Sequence, residues 1–298
     1  MNIFNVILVN PITNILVAIY QGLVFVHIPY PLGFSIILLT LAIRFLLWPF
    51  THSQIRTSKK MQTLNPHLKR LKEKHKDDAK TLQAETMKLY KEHGVNPAAG
   101  CLPALVQLPI IFALYGVLRQ IVNPNTKTVL ASINKVLYFP ALHLNTLWDT
   151  HFFGLPLGQS PSKLLSTYGF LILLVPIVTA ALQMMQSKMM FAPQEPDASQ
   201  KVDSKKEKAL AKKEEKKPSS VKTTDGKKDT QEEFASAMQT QSLYIIPLVI
   251  GYSSFSFPLG LSLYWNTFTI FGIIQQYSIA GWGGLQPWID KVKSKMQG

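Results

Sequence analysis

Five apolar stretches, 33–50, 102–122, 168–190, 243–258 and 261–280, alternate in this sequence with blocks that hold nearly all of its charge. That alternation constrains the fold more than any single residue does. Crossing about 30 Å of hydrocarbon takes roughly 20 mostly apolar residues in a helix, which satisfies its own backbone polar groups where no water is available. Each stretch is of that order or close to it, and only 16% of the 298 residues are charged, against about 25% in an ordinary soluble domain. The expected fold is an all-α polytopic membrane protein with five transmembrane helices.

Residues 3–26 are also apolar. No Lys or Arg precedes Arg44, so the basic start of a secretory signal is missing, as is an Arg-rich transit peptide. Asn10-Pro11 reads as an N-cap followed by proline in the first helical turn. A helix from Pro11 to Val26 is about 24 Å long at 1.5 Å per residue, short for a span, and Asn10, Thr13, Asn14 and Gln21 share one of its faces. Residues 1–32 are read as an amphipathic helix lying in the membrane interface. A sixth span is the alternative, and it would invert the side on which the N-terminus sits.

The 31 Lys and Arg residues set the orientation: 11 lie in 53–99, 12 in 188–228 and three in 291–295, with only Arg44, Arg119, Lys127, Lys135 and Lys163 elsewhere. Alternating spans put the three rich segments on one face, which the positive-inside rule makes cytoplasmic. The division that follows is a first span at 33–52, a cytoplasmic hairpin at 53–99, a second span at 100–122 and an extracytoplasmic connection at 123–165. A third span at 166–190, a Lys-rich loop at 191–238, spans at 239–258 and 259–282, and a basic cytoplasmic tail at 283–298 complete it. The N-terminus is then outside and the C-terminus cytoplasmic. Anionic lipid, RNA or an acidic partner could use the net charge of +14.

Met61, Leu64, Leu68 and Leu71 recur at 0, 3, 7 and 10, and Ala79, Leu82, Thr86 and Leu89 repeat those offsets after the polar break KHKDDAK. Two narrow seams joined by a short turn indicate an antiparallel coiled-coil hairpin, with Pro66 kinking or restarting its first helix. Its surface carries a net +6 from 11 cations and five acids; it is either a docking arm or a connector. The stretch 193–235 holds almost no large apolar residue and cannot offset its chain entropy by burial, so disorder is expected.

Several chemistries lack their parts. There is no phosphate loop, no HExxH, a single cysteine at 101, and no histidine spacing suited to a metal. The five spans contain no Asp or Glu, which disfavours proton-coupled carriers and aspartyl intramembrane proteases. No catalytic residue, metal or cofactor is expected. What the spans do contain, away from the terminal Arg119 and Lys188, is Arg44 and a set of neutral polar groups: Thr40, Gln107, Gln183, Asn266, Gln275 and Gln276. An intramembrane Arg costs about 2.5–3.5 kcal/mol at a helix centre. Either Arg44 snorkels about 9 Å to the interface past Phe50, or it faces a water-filled recess in the inner leaflet, with Thr40 one turn before it.

Three segments, GFSIILLTLAIRFLLWPF (33–50), NPAAGCLPALVQLPIIFALYGVL (96–118) and FPLGLSLYWNTFTIFGIIQQY (257–277), carry a resemblance. Together they are similar to the matched signatures of the YidC/Oxa/Alb family of membrane protein insertases, in the same order and with a helical hairpin between the first two. The resemblance runs from about residue 30 to 282 and points to the short form of the family, without a large extracytoplasmic domain; the 193–235 insert matches no family motif. It implies five core helices around a hydrophilic groove, open to the cytoplasm and to lipid but closed to the outside. By motif the groove cation is Arg44, with Thr40 beside it, and the aromatic of the last helix is Trp265, between Tyr264 and Asn266. Gln107 and Gln183 join them as candidates from position alone.

The function implied is insertion and folding assistance of nascent membrane proteins in a prokaryotic plasma membrane. Nascent chains, the lipid bilayer, the ribosome and signal recognition or translocon components are the implied partners. An anion channel or carrier using Arg44 is the alternative, and a structural scaffold a third.

Overall fold

The computed structural model describes residues 3–75, 78–95, 102–121, 126–146, 148–190 and 241–296. The Lys-rich 193–235 stretch lies outside them.

Helix α1 (Asn5–Phe25) runs for 21 residues, about 31 Å at helical rise, and opens with a π-helical turn over Asn5–Val9. Asn10 has helical dihedrals, φ −64° and ψ −49°, so it does not cap a helix beginning at Pro11. The wider turn explains the difference. A proline in an α-helix clashes with the carbonyl four residues back, and a π turn just upstream relieves that clash. The faces also differ from an ordinary interfacial helix: Asn10, Thr13 and Asn14 are buried with Leu16 and Val17, while Ile7, Ile15 and Phe25 are exposed. Asn14 Nδ2 donates to the Val136 carbonyl (2.9 Å) and Asn14 Oδ1 accepts from Tyr138 N (2.7 Å). Gln21 Nε2 donates to the Leu142 carbonyl (2.9 Å) and the Tyr20 hydroxyl accepts from Asp149 N (3.1 Å). The polar face thus serves backbone groups of an irregular connection that would otherwise lack partners, and the apolar face is left outward.

Helix α2 (Pro31–Leu46) stops short of the expected end at residue 52, and α3 (Trp48–Lys74) follows at 64°. Pro49 has no donor for the Phe45 carbonyl and its ring crowds that group, so the chain breaks at Leu47 (φ −86°, ψ 0°) and Trp48-Pro49-Phe50 becomes the first turn of α3.

Helix α4 (Ala79–Glu92) packs back on α3. Leu64 is buried in the seam, and Met61, Leu68, Leu71, Leu82, Thr86 and Leu89 are half-buried. Pro66 lies exposed within an unbroken helix and does not restart it. Asp78 caps α4, accepting from Lys80 N and Thr81 N at 3.1 Å each and from the Thr81 hydroxyl at 2.5 Å. Those bonds, the Thr81 hydroxyl first, hold its carboxyl below the ordinary Asp value. The cap's contribution is therefore complete above the unfolded Asp value of about 3.9 and is lost as pH falls through the lower folded value. Asp78→Ala removes it at every pH, and hydrogen exchange at neutral pH is expected to quicken severalfold at the Lys80 and Thr81 amides.

The chain continues through α5 (Leu102–Ile121), α6 (Thr126–Asn134), a two-stranded hairpin of β1 (His151–Phe152) and β2 (Leu155–Pro156), and α7 (Pro161–Tyr168). A 3-10 turn over Gly169–Leu173 leads into α8 (Leu174–Met190). Then come α9 (Ile246–Ser256) and α10 (Leu259–Ala280), which Gly281 ends at φ 74°. A 3-10 turn at Gly283–Leu285 precedes α11 (Gln286–Met296), so the expected tail holds a helix.

By length and composition, Asn5–Phe25 and Pro161–Met190 are long and apolar enough to cross a membrane, and the bent pair Pro31–Leu46 and Trp48–Met61 passes the same test only if its two helices count as one span. The apolar parts of the α5 and α9 regions, Gln107–Leu118 and Leu243–Ser256, are shorter. Helix α10 has 22 residues but carries Asn266, Gln275 and Gln276. Length and apolarity alone therefore do not give five spans among the described residues.

Helix α8 packs against α9 and α10, α10 against α2, and α2 against α1. Burial is graded along this bundle. The apolar core takes Leu32, Ile36 and Leu39 from the start of α2, Leu114 and Leu118 from the end of α5, and Leu261 from the start of α10. Toward the other end of α2 and α10 the buried residues are Thr40, Arg44, Thr269, Gln275 and Gln276.

Candidate functional site

Arg44 lies near the C-terminal end of α2 and is only 4% exposed. It points inward, not to the surface. Its Nη2 donates to the Phe268 carbonyl of α10, and its guanidinium carbon stands 3.3 Å from the centroid of the Phe268 ring, with the Phe271 ring at 5.8 Å. Among the described residues the only basic and acidic side chains within 4 Å of each other are His151 and Asp149, on the surface. Arg44 is therefore held without an acid. A desolvated cation over an aromatic face contributes about 2 kcal/mol and a hydrogen bond to a charged group about 1.5–3 kcal/mol. Their sum covers the insertion cost of about 2.5–3.5 kcal/mol.

The ring that carries Arg44 continues toward α5. Phe268 lies 5.9 Å from the fully buried Tyr264 ring, and the Tyr264 hydroxyl accepts from Gln107 Nε2 at 2.7 Å. Gln107, Tyr264 and Arg44 thus form one chain along the α2–α5 side of α10. Trp265 turns to another side, where its Nε1 donates to Gln183 Oε1 of α8 at 3.1 Å. It also lines a small cleft with Thr179, Ser253, Ser254 and Ser262. Thr40 is fully buried and donates to the Ile36 carbonyl of its own helix at 2.6 Å. Five of the seven candidate residues therefore form two groups either side of α10; Thr40 is held in its own backbone, and Asn266 Oδ1 is buried without a hydrogen-bond partner among the described residues.

Among the described residues, four buried side-chain atoms on this part of the molecule have no hydrogen-bond partner: Arg44 Nε, Asn266 Oδ1, Thr269 Oγ1 and Gln275 Oε1. Native interiors leave few such atoms. Here they are gathered along α2 and α10. Gln275 uses its other end to donate to the Thr51 hydroxyl of α3 at 2.7 Å, and Trp48 meets the Phe271 ring edge-on at 5.7 Å. The hairpin's base is thereby keyed to the helix that holds Arg44. Among the described residues no cluster of His, Cys, Asp or Glu suits a metal ion.

Gly272 is part of the site and was not anticipated. A Cβ there would run into the Gln186 amide and stand 2.6 Å from Arg44 Nη2. A glycine in the middle of a helix already marks a close approach, which is the signal that could have found it. Gly272→Ala is expected to destabilise the protein by about 1–3 kcal/mol through overpacking, read as a lowered thermal midpoint in detergent. Gly116→Ala, where nothing lies within 4 Å, is expected to gain about 0.5–1 kcal/mol.

The description "60Kd inner membrane protein" belongs to the family whose model matches residues 23–283, from α1 to the turn after α10. The chain is a member of this family. Relatives named "Membrane protein insertase YidC" include one from Fusobacterium nucleatum, 30% identical over 247 residues, which cover 83% of this chain and 85% of that protein. Another, from Streptomyces avermitilis, is 32% identical over 255 residues, covering 82% and 50%. "Inner membrane protein ALBINO3, chloroplastic" of Arabidopsis thaliana is 29% identical over 285 residues, 93% of this chain and 52% of the relative. The chain thus spans about half the length of the chloroplast relatives it matches. The family resemblance in the three helical signatures is in this way extended to most of the chain, and all seven candidate residues lie within the matched 60Kd inner membrane protein region.

Proposed function

We propose that this chain is a membrane protein insertase and folding chaperone. It takes the hydrophilic tail of a nascent chain into a polar groove between α2, α5, α8 and α10, and releases the apolar segment that follows into lipid. One observation carries this reading: the grading of the bundle, mainly apolar where α2 and α10 begin, with Ser35 and Ser262 hydrogen-bonded among the apolar side chains, and polar, with orphaned hydrogen-bonding atoms, toward their ends. A groove lined by the polar half opens toward the hairpin. Its other end is closed by the core of Leu32, Ile36 and Leu39 of α2 with Leu114 and Leu261.

In this reading Arg44 and the neutral groups Gln107, Gln183, Tyr264, Trp265 and Asn266 solvate a tail that hydrocarbon cannot, so the tail has less far to go. Apolar residues of the client, worth about −0.3 to −0.6 kcal/mol each for Leu or Ile at the membrane centre, drive the exit sideways. Acidic tail residues add about 2.3 kcal/mol per charge per 100 mV of inside-negative potential. No nucleotide enters the scheme. Five spans, with α1 lying along the outer interface, fit the bonds that tie its polar face to the 126–149 connection. The hairpin, the Lys-rich loop and the C-terminus are then cytoplasmic, where the ribosome and signal recognition or translocon components are the partners, in a prokaryotic plasma membrane.

An anion channel would need free polar positions along the whole path, and in the apolar half the buried serines are spent on their neighbours, Ser35 on the Pro31 carbonyl and Ser262 on Ser254. Purified protein in liposomes separates the two. An insertase is expected to give protease-protected insertion of a small single-span client and no anion flux; flux without insertion rejects that function.

A further inference from the structure

We propose that α11 is an interfacial helix that lies on the membrane surface and binds anionic lipid headgroups. At about 100° per residue, Trp288, Ile289, Val292 and Met296 fall within one arc of about 100°. Lys291 and Lys295 flank that arc on one side and Lys293 on the other. Trp288, Val292 and Met296 are 65%, 37% and 78% exposed, so the protein itself does not cover the stripe. Asp290, the one acid of the helix, lies on the far side, where Gln286 Nε2 donates to its Oδ1 at 2.8 Å. The three lysines are therefore not neutralised from within the helix, and their long stems can lie along the apolar stripe while the ammonium groups reach phosphate level.

The place of the helix names its partner. Helix α10 ends at Gly281, the Trp282 ring lies 4.6 Å from Tyr277 of α10, and Gly283 (φ 52°) is packed against the Met189 carbonyl at the end of α8. Helix α11 thus starts beside the ends of two bundle helices of a membrane protein. An apolar stripe edged by cations there fits a lipid surface carrying negative charge. It lies outside the 23–283 region shared with the family. That the leaflet is the cytoplasmic one rests on the orientation proposed above, whereas lipid contact does not.

The test uses the full chain with Cys101→Ser, carrying an environment-sensitive fluorophore on Val292→Cys or, separately, on Ser294→Cys. Both are reconstituted in phosphatidylcholine vesicles with and without phosphatidylglycerol. With phosphatidylglycerol, the label at 292 is expected to shift to the blue and to be quenched by nitroxide lipids, while the label at 294 is quenched by aqueous iodide. Changing Lys291, Lys293 and Lys295 together to Gln returns the 292 label to water, since each lysine near an anionic surface contributes roughly fivefold in binding. Equal aqueous quenching at 292 and 294 overturns the proposal, as does shielding of 292 that needs added ribosomes or is indifferent to phosphatidylglycerol. Client insertion by the same vesicles is read separately, so a failure of lipid contact is distinguished from a failure of the insertase function.

Discussion

Arg44→Glu is expected to abolish insertion of clients whose translocated tails carry Asp or Glu. Arg44 is the one buried cation among the described residues, and no acid neutralises it. A tail carboxylate that comes within roughly 6 Å of it gains about 3 kcal/mol at an effective dielectric of about 20, near a hundredfold in rate if that contact is made at the barrier. Arg44→Ala forfeits this gain, and Arg44→Glu replaces it with repulsion of similar size. Arg44→Lys keeps the charge and is expected to retain much of the activity, losing the planar stack over Phe268. Clients with neutral tails are expected to lose less in every variant. Insertion is measured by protease protection in proteoliposomes; wild-type rates for Arg44→Ala with every client would show that the guanidinium only packs against Phe268.

Deleting 60–90 and bridging the gap with a short linker is expected to leave the bundle assembled but to impair ribosome-coupled insertion. The cut spares Trp48, Thr51 and Ile55, which pack the base of α3 into the core and onto α10. What it removes is the arm beyond, where the seam is narrow and most of the surface is solvated. That arm carries most of the net +6 of 53–99, and such a surface binds RNA phosphates through counterion release, so the residual coupling is also expected to lose its salt sensitivity. Normal insertion after the deletion would reduce the arm to a connector. Loss of assembly, read as aggregation in detergent, would make it structural.

The hairpin was legible because its seams repeat at 0, 3, 7 and 10 on both sides of a polar break, and that spacing alone puts Leu64, Leu71, Leu82 and Leu89 on facing stripes. Arg44 was legible as an anomaly, one cation in an apolar run with no acid in any span. Its partners were not: Phe268 offers a carbonyl and a ring face, neither of which has a sequence signature, and they lie 224 residues away. The apolar run 33–50 passes straight across Pro49, and it hid both the break there and the 64° bend. The N-terminal helix misled for a different reason. Asn10-Pro11 has the form of a cap, yet the π turn before it lets the helix continue. Its polar residues face protein because the connection at 136–149 has backbone groups to satisfy, a requirement visible only once the two segments are brought together. Trp265 was placed beside Tyr264 by adjacency, but neighbours on a helix are about 100° apart, and the two side chains serve α8 and α5 respectively.

If a nascent chain occupies the polar half of the bundle beside Arg44, it must come within reach of both sides of α10. Photocrosslinking tests this with a ribosome-stalled single-span client and a benzophenone amino acid placed, in turn, at Gln107, Trp265 and Phe170. Gln107 and Trp265 lie on either side of the proposed groove, and Phe170 is exposed at the start of the α8 region. Client adducts are expected from positions 107 and 265, weakening with Arg44→Glu when the client tail is acidic, with few adducts from position 170. Adducts from 170 alone, or equal adducts from all three whatever residue stands at 44, would contradict occupation of the groove.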